Sequence, residues 1–555
     1  MKRKVVSPKL CLVAIAEDEA MQKFFAVIEF RDRDGKMRRA NLPLAKLDDR
    51  KSLVKILTNS GAYFGTDQEA NERALRHLLA SRRKAKRFNF AARVGWYGDR
   101  YRTFVLPNQV IGVSNSHVPI RSPRFTQRHA GGRRGTHKEW LRTVAAHARF
   151  SSRMVLGISA ALAAPLLRIA RLHSFGILVH GRGKAGKSTM LVAAASVGGY
   201  GREQDLPNFR ASDAAFGEIP AAFNDSLLPL NELGLLKGSA SQKYLRLRDL
   251  TYGFAEGRGT TYSQLAPIAQ ASRELDWLSI LVATGEEASN DIARDAHDCR
   301  MEGETIRWID LAATRNGTLH IFDRIPKKVP EATRAKWAEQ RCAMIRAGCR
   351  RNHGVTIHQF IELVIENRKA VQKEIKALRE KFMNRVLDTN DGPVVRHLAK
   401  CFGHIYAAAV IGVNFGTLPW SKKTVRTSIE RCYRDARREL NTETDLLREG
   451  LTIMHAKIRA LLKANGADLM SEDGFVKGGK PHRATICAEV FKGWFSDVRQ
   501  PNIVLTFLRT KNALPSRRMP TPGTGIVWAE SQPTWPDGNR RRSIVIEERR
   551  GQLKV

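Results

Sequence analysis

Apolar and polar positions alternate with period two at the start of the chain. CLVAIA and KFFAVIEF read as two strands around the turn Asp32-Arg33-Asp34-Gly35. The period then lengthens to a helical one over Arg50–Asn59 and Glu69–Leu79, ahead of the basic run Ser81–Arg87. Ala92–Gly112 predicts two strands around Gly98-Asp99, and Ser114–Thr136, rich in Pro, Gly, Arg and Ser, a mobile surface segment. A helical region is expected from Lys138 to about Leu172. From there to about Ile325, short apolar runs (ILVHG, LLPLNEL, WLSILVATG, IRWIDL) alternate with helical spacing, the pattern of a mostly parallel sheet flanked by helices. Lys327–Glu449 is mainly helical, most strongly over Lys369–Arg385, with a further helix to about Lys463. Beyond Gly466 the pattern predicts helices at Thr485–Phe495 and Asn502–Lys511. A hairpin follows, IVWAE and SIVIEE around Pro536-Asp537-Gly538. Two helices and a two-stranded wing are the outline of a winged helix.

Composition narrows the class. With 555 residues, 43% of them hydrophobic, the chain is long enough for several packed domains. Lys and Arg number 94 against 55 Asp and Glu, a net charge of +39, which favours a polyanionic partner and nucleic acid first. No long basic amphipathic helix with a clean apolar face points to a membrane surface. The seven cysteines are scattered and odd in number, which suits a reducing cytosol. Cys342, Cys349 and His353 lack a usual zinc spacing. The basic N-terminus imitates a signal peptide, but Pro8 and Lys9 leave only Leu10–Ala16 as an apolar run. Met154–Leu167 is too short to span a bilayer. The expectation is a soluble, cytoplasmic protein.

The chemistry concentrates in GRGKAGKST, residues 181–189, set between the apolar run FGILVHG and the helical run MLVAAASV. Gly181, Gly183 and Gly186 let successive N–H groups, with those of Arg182, Lys184, Ala185 and Thr189, turn inward on a phosphate. The helix N-terminus adds partial positive charge there. Lys187 is then the ligand of the β- and γ-phosphates, and the Ser188 hydroxyl a ligand of Mg²⁺. ATP hydrolysis also needs an acidic strand end. LLPLNELG offers Glu232 to activate water and Asn231 at the metal position, where an amide holds Mg²⁺ and its waters more weakly than a carboxylate. Binding with little turnover is therefore open. Thr284, ending WLSILVAT, is placed to sense the γ-phosphate. Arg307 is either a finger acting on a neighbour's nucleotide or one half of a surface ion pair. Glycines at 253, 257 and 259 bracket Arg258, as in a hairpin with a basic tip or in a plain surface turn.

Six motifs keep one order: GWYGDRYRTFVLPNQVIG, GRGKAGKSTMLVAAASVGGYG, FNDSLLPLNELG, YGFAEGRGTTY, LSILVATGEE and GETIRWIDL. In that order the chain resembles the domain of unknown function 927 family, helicase-like proteins of phages and integrative mobile elements. RHLAKCFGHIYAAAVIGVNFGTLPW resembles the helical lid that follows in the same family, and the likeness covers about residues 20–440. The resemblance implies an AAA+ ATPase akin to the minichromosome-maintenance helicases, a homo-oligomeric ring, often a hexamer, around DNA. It assigns Gly181, Gly186, Lys187 and Ser188 to the nucleotide and Glu232 to catalysis. It makes Thr284 a first sensor, Arg307 a finger in trans, Arg396 a second sensor and Arg258 part of a DNA-contacting hairpin. Family members usually carry aspartate where this chain has Asn231.

The resulting expectation is an α/β protein in four parts. They are an N-terminal α+β domain (1–137), a P-loop AAA+ core with a parallel sheet (138–326), a helical lid (327–465) and a C-terminal winged helix (466–555). Arg517, Arg518, Arg540 and Arg541 are the tail's candidate DNA contacts. One function is an ATP- and Mg²⁺-dependent helicase or translocase on single-stranded or forked DNA, serving replication of a mobile element. The other is an ATP-binding initiator or helicase loader with weak hydrolysis. A small-molecule kinase fits neither the charge nor the tail.

Overall fold

Three strands, β1 (Cys11–Asp18), β2 (Lys23–Arg31) and β3 (Met37–Pro43), form an antiparallel meander at the N-terminus. The Asp32 carboxylate shapes the β2–β3 turn by accepting from the backbone N–H of Asp34 (3.0 Å) and Lys36 (2.8 Å). β4 (Lys86–Ala91) lies parallel to β1 and β8 (Ile120–Arg121) parallel to β4, giving the order β3-β2-β1-β4-β8. Helices Arg50–Asn59 and Gln68–Ala80, capped by the side chains of Asp49 and Asp67, cover one face with Leu53, Leu57, Leu75 and Leu78. This computed structural model describes residues 9–515 and 525–548 except 19–22, 92, 99, 107–108, 113–119, 122–130, 211–215, 217, 260–275, 316–317, 441–442, 466–472, 478–481, 496 and 498. The expected mobile segment Ser114–Thr136 falls mostly outside the described residues.

Where two strands were expected over Ala92–Gly112 there are three: β5 (Gly95–Tyr97), β6 (Thr103–Leu106) and β7 (Gln109–Gly112). Leu106 pairs with Gln109, so the chain returns as a third antiparallel strand. This small sheet docks on the parallel one through Asp225. That carboxylate accepts from the Trp96 N–H (3.1 Å), from Asn224 Nδ2 (3.0 Å) and from Arg168 Nε (3.1 Å). The Trp96 indole N–H donates to the Pro165 carbonyl at 2.7 Å.

The parallel sheet is built from β9 (Phe175–His180), β10 (Leu227–Leu230), β11 (Ile280–Gly285) and β12 (Trp308–Ala312), in the order β10-β11-β9-β12. Its strands are almost wholly buried, as the unbroken apolar runs require for a sheet covered on both faces. All twelve residues of helix Ser152–Ala163 are buried. The run Ser152–Ala170 is apolar and long enough to cross a membrane, yet 89% of its most apolar window is buried inside the fold, so it is a core helix here. Arg153 within it is neutralised by Asp435 at 2.8 Å and donates from Nε to the Ala312 carbonyl at 3.0 Å. Five helices follow: Arg334–Arg351, Val355–Glu366, Arg368–Val386, Pro393–Asn414 and Lys422–Glu439.

The chain divides into two units, one of Met1–Leu236, Asp249–Glu286 and Ile306–Asp435, the other of Lys237–Arg248, Glu287–Thr305 and Ala436–Val555. In the second, β13 (Gly474–Lys477), β14 (His482–Cys487), β15 (Glu530–Ser531) and β16 (Ser543–Glu548) form an antiparallel sheet ordered β13-β14-β16-β15. Helices Glu443–Asn465, Ala488–Gly493 and Gln500–Thr510 pack with it, burying Leu451, Met454, Phe491, Leu505 and Ile544 in one core. Two expectations change. Thr485–Cys487 is strand, paired with Ser543–Val545, so the helix begins only at Ala488. Val527–Ala529 is a helical turn, leaving a two-residue β15 as the hairpin's first strand. The turn at Pro536–Gly538 forms as expected, with Trp535 N–H donating to the Asn539 carbonyl at 2.8 Å.

Candidate nucleotide site

β9 delivers the chain to the glycine-rich loop, and the helix Lys187–Gly198 leaves from it. Gly186 takes φ +104°, and a Cβ there would stand 2.9 Å from Ile321 Cγ2, so the helix entry requires glycine. Lys187 is buried, and its Nζ donates to the carbonyl of Arg182 at 2.9 Å and to that of Gly181. Burial pushes its pKa below the usual lysine value, while the carboxylates of Glu232 and Glu286 act in the opposite sense. Ser188 follows, half-buried, in the first turn.

Parallel pairing brings the acidic strand end to the same side of the sheet. β11 lies between β9 and β10, so its last residues separate the loop from Glu232. The buried Thr284 hydroxyl donates to Asn231 Oδ1 (2.8 Å) and accepts from the Glu232 N–H (3.1 Å). Asn231 Nδ2 donates to Glu203 Oε1 at 3.1 Å, and its backbone N–H donates to the Pro207 carbonyl at 2.9 Å. Both ends of the amide of Asn231, the residue expected at the metal position, are thus hydrogen-bonded within the chain. Thr284, expected as a sensor, has its hydroxyl spanning Asn231 and Glu232. Glu232 is held at φ +61°, a left-handed conformation that costs a non-glycine residue roughly 1 kcal/mol or more.

The remaining candidates lie elsewhere. Arg307 ends helix Glu302–Arg307 and precedes β12, whose Trp308 pairs with Gly176. It therefore sits at the strand-entry end, roughly 17 Å along the sheet from the loop. Its guanidinium lies 5.0 Å from the Tyr252 ring centre. Arg396, expected as a second sensor, donates to the carbonyls of Asp391 (2.9 Å) and Thr389 (3.3 Å) at its own helix entry. The adjacent His397 is close enough to Arg307 to feel its charge, and burial pushes that imidazole's pKa down. That turn is thus on the side of Arg307, at the strand-entry end.

The hairpin expected from Asp249 is helical as far as Glu256. Only then does the chain pair with its return, Arg258 bridging Asp276 and Trp277 N–H donating to the Gly257 carbonyl at 2.8 Å. Residues 260–275, between Arg258 and its partner, lie outside the described residues, as do Arg517 and Arg518. Arg540 is exposed in the C-terminal hairpin, whereas Arg541 stacks 4.5 Å from the Trp535 ring centre and pairs with Asp537. Among the described residues, no three His, Cys, Asp or Glu gather as a metal cluster. Two residues beside the loop carried no sequence signal. Arg346 Nη1 donates to Thr189 Oγ1 at 3.2 Å from helix Arg334–Arg351. Glu286 lies against Gly183, with Oε1 3.1 Å from where a Cβ on that glycine would stand.

Residues 2–273 match the sequence profile of DUF927, a domain of unknown function. A solved structure titled "SCCmec type IV Cch - active helicase" shares the fold, with TM-score 0.61 at 15% identity over 98% of this chain and 95% of that one. Comparison with curated proteins gives no match.

Proposed function

We propose that this chain, whose residues 2–273 match the DUF927 profile, is an AAA+ ATPase acting on DNA, a helicase or translocase of a mobile element. The observation that carries the reading is the meeting of Lys187 with Glu232 at the exits of β9 and β10, parallel strands on either side of β11. The sheet order supports it, since β11, with Thr284 near its end, separates loop from acid. The fold shared with a protein titled as an active helicase supports the nucleic-acid half, as does the charge of +39.

In this reading the loop amides and the N-terminus of helix Lys187–Gly198 hold the β-phosphate. Lys187 leaves the carbonyls of Gly181 and Arg182 for the β- and γ-oxygens, and Glu232 accepts the proton of the attacking water. Ser188 offers its hydroxyl to Mg²⁺, which when bound neutralises charge building on the phosphates. The left-handed Gly186 and the inward-tied ammonium fit a phosphate cradle of this kind. Subunits assemble as a ring, Arg307 reaching a neighbour's nucleotide. The C-terminal unit serves as a winged helix, contacting DNA through Arg540. The seven free thiols suit a cytoplasmic location.

The test is ATP turnover with and without single-stranded DNA. Wild type should be stimulated by DNA, and Lys187→Ala or Glu232→Gln should lower turnover by about a hundredfold or more. Asn231 favours one second reading, an ATP-binding loader with blunted hydrolysis. Tight ATP binding by the wild type without DNA-stimulated turnover would select it.

A further inference from the structure

Asn231 occupies the position where a carboxylate would hold the waters of a nucleotide-bound cation, yet both ends of its amide are engaged along the sheet edge. Its carbonyl takes the Thr284 hydroxyl at 2.8 Å and its NH₂ reaches Glu203 at 3.1 Å. A second acidic side chain stands on the other flank. The Gly181 N–H donates to the Gly285 carbonyl at 3.2 Å, fastening the end of β11 to the start of the loop. That bond sets Glu286, the next residue, beside Gly183, with Oε1 3.1 Å from the space a Cβ would fill there. Glu286 is exposed toward solvent, as a group facing a bound triphosphate and its hydrated ion must be.

We propose that Glu286 supplies the carboxylate that Asn231 lacks, holding through water the Mg²⁺ ion of the bound nucleotide beside Ser188. The two acids then divide the work: Glu232, fixed by Thr284 next to Lys187, acts on the attacking water, and Glu286 on the ion. A carboxylate binds the water shell of Mg²⁺ far better than an amide. An intact loop with an amide at position 231 thereby retains a complete metal site. The inference rests on the nucleotide-binding reading above.

The experiment is a titration of Mg²⁺ into the full-length protein with a fluorescent ATP analogue, following binding rather than turnover. Glu286→Gln is compared with wild type, with Glu287→Gln as the neighbouring control. In EDTA, Glu286→Gln should bind the analogue as well as wild type or better, because a negative charge near the phosphates is gone. Its Mg²⁺ midpoint should rise about tenfold, while that of Glu287→Gln stays within about twofold of wild type. An unchanged midpoint in Glu286→Gln, or an equal shift in Glu287→Gln, overturns the inference and leaves the nucleotide site standing. Absence of analogue binding by wild type, at any Mg²⁺ concentration, removes the nucleotide reading itself.

Discussion

Gly95 has space for a hydrogen atom and little else. A Cβ there would lie 2.4 Å from Asp225 Oδ2, and the backbone stands at φ +101°. The pressure on this residue comes from Asp225, wholly buried and held by Arg168, Asn224 and the Trp96 N–H. Gly95→Ala should therefore cost about 2–3 kcal/mol, read as a lower urea midpoint with an unchanged slope. Tryptophan emission should follow, since Trp96 leaves its place. His404 makes a second prediction at this scale. It is fully buried in helix Pro393–Asn414, donates from Nε2 to the Ala163 carbonyl at 2.9 Å, and burial pushes its pKa down to about 4. A pKa depressed on folding adds stability above the unfolded value near 6.5, and that stability is lost as pH falls toward 4. Wild type should thus lose about 2 kcal/mol more than His404→Gln between pH 7.5 and 5. Equal losses in parallel urea titrations would show that this imidazole does not remain neutral in the core.

At the scale of elements, the junction of β10 with β11 decides what Asn231 is for. Its amide ties Glu203 to Thr284, and Thr284 ties Glu232. Asn231→Asp would oppose a carboxylate to Glu203, loosening the turn that holds Glu232 at φ +61°. Turnover of Asn231→Asp should drop about tenfold, and adding Glu203→Gln should restore it. A rise in the single variant would instead favour the blunted-hydrolysis reading. The loop and its strand were legible because their function needs consecutive residues: three glycines, Lys187 and Ser188 adjoin an apolar run that becomes β9. Asn231, Glu232 and Thr284 were legible as strand ends, but the hydrogen bonds joining them were not. Those bonds depend on sheet order, which apolar runs leave open. Glu286 and Arg346 reach the loop from distant segments, so no local spacing marked them. Helix Ala240–Glu256 was hidden by glycines 253 and 257, although Tyr244, Leu247, Thr251 and Phe254 are buried at helical spacing. At β14 a six-residue strand runs directly into a helix, so one helical window covered both.

Across the whole molecule the excess of 39 positive charges is too large for the ion pairs of the interior to explain. Arg431 pairs there with Asp323, and Asp435 is shared by Arg153 and Arg315. The surplus lies on surfaces where each phosphate neutralised releases a counterion, so DNA affinity should fall steeply with salt. Within the C-terminal hairpin the two arginines should contribute unequally. Arg541 is committed to Asp537 and to the Trp535 ring, which is itself buried and donates to Ser543 Oγ at 3.0 Å. Its loss acts on the hairpin's packing as much as on DNA. Arg540 is exposed and bridges Thr534 through its backbone alone, leaving the pairing intact when the side chain is cut back. Arg540→Ala should therefore leave thermal stability unchanged and reduce the slope of log affinity against log salt by about 0.9 on duplex DNA, or about 0.7 on single strands. A slope equal to wild type on both, measured by anisotropy from low to moderate salt, would place the DNA contact on another surface of the chain.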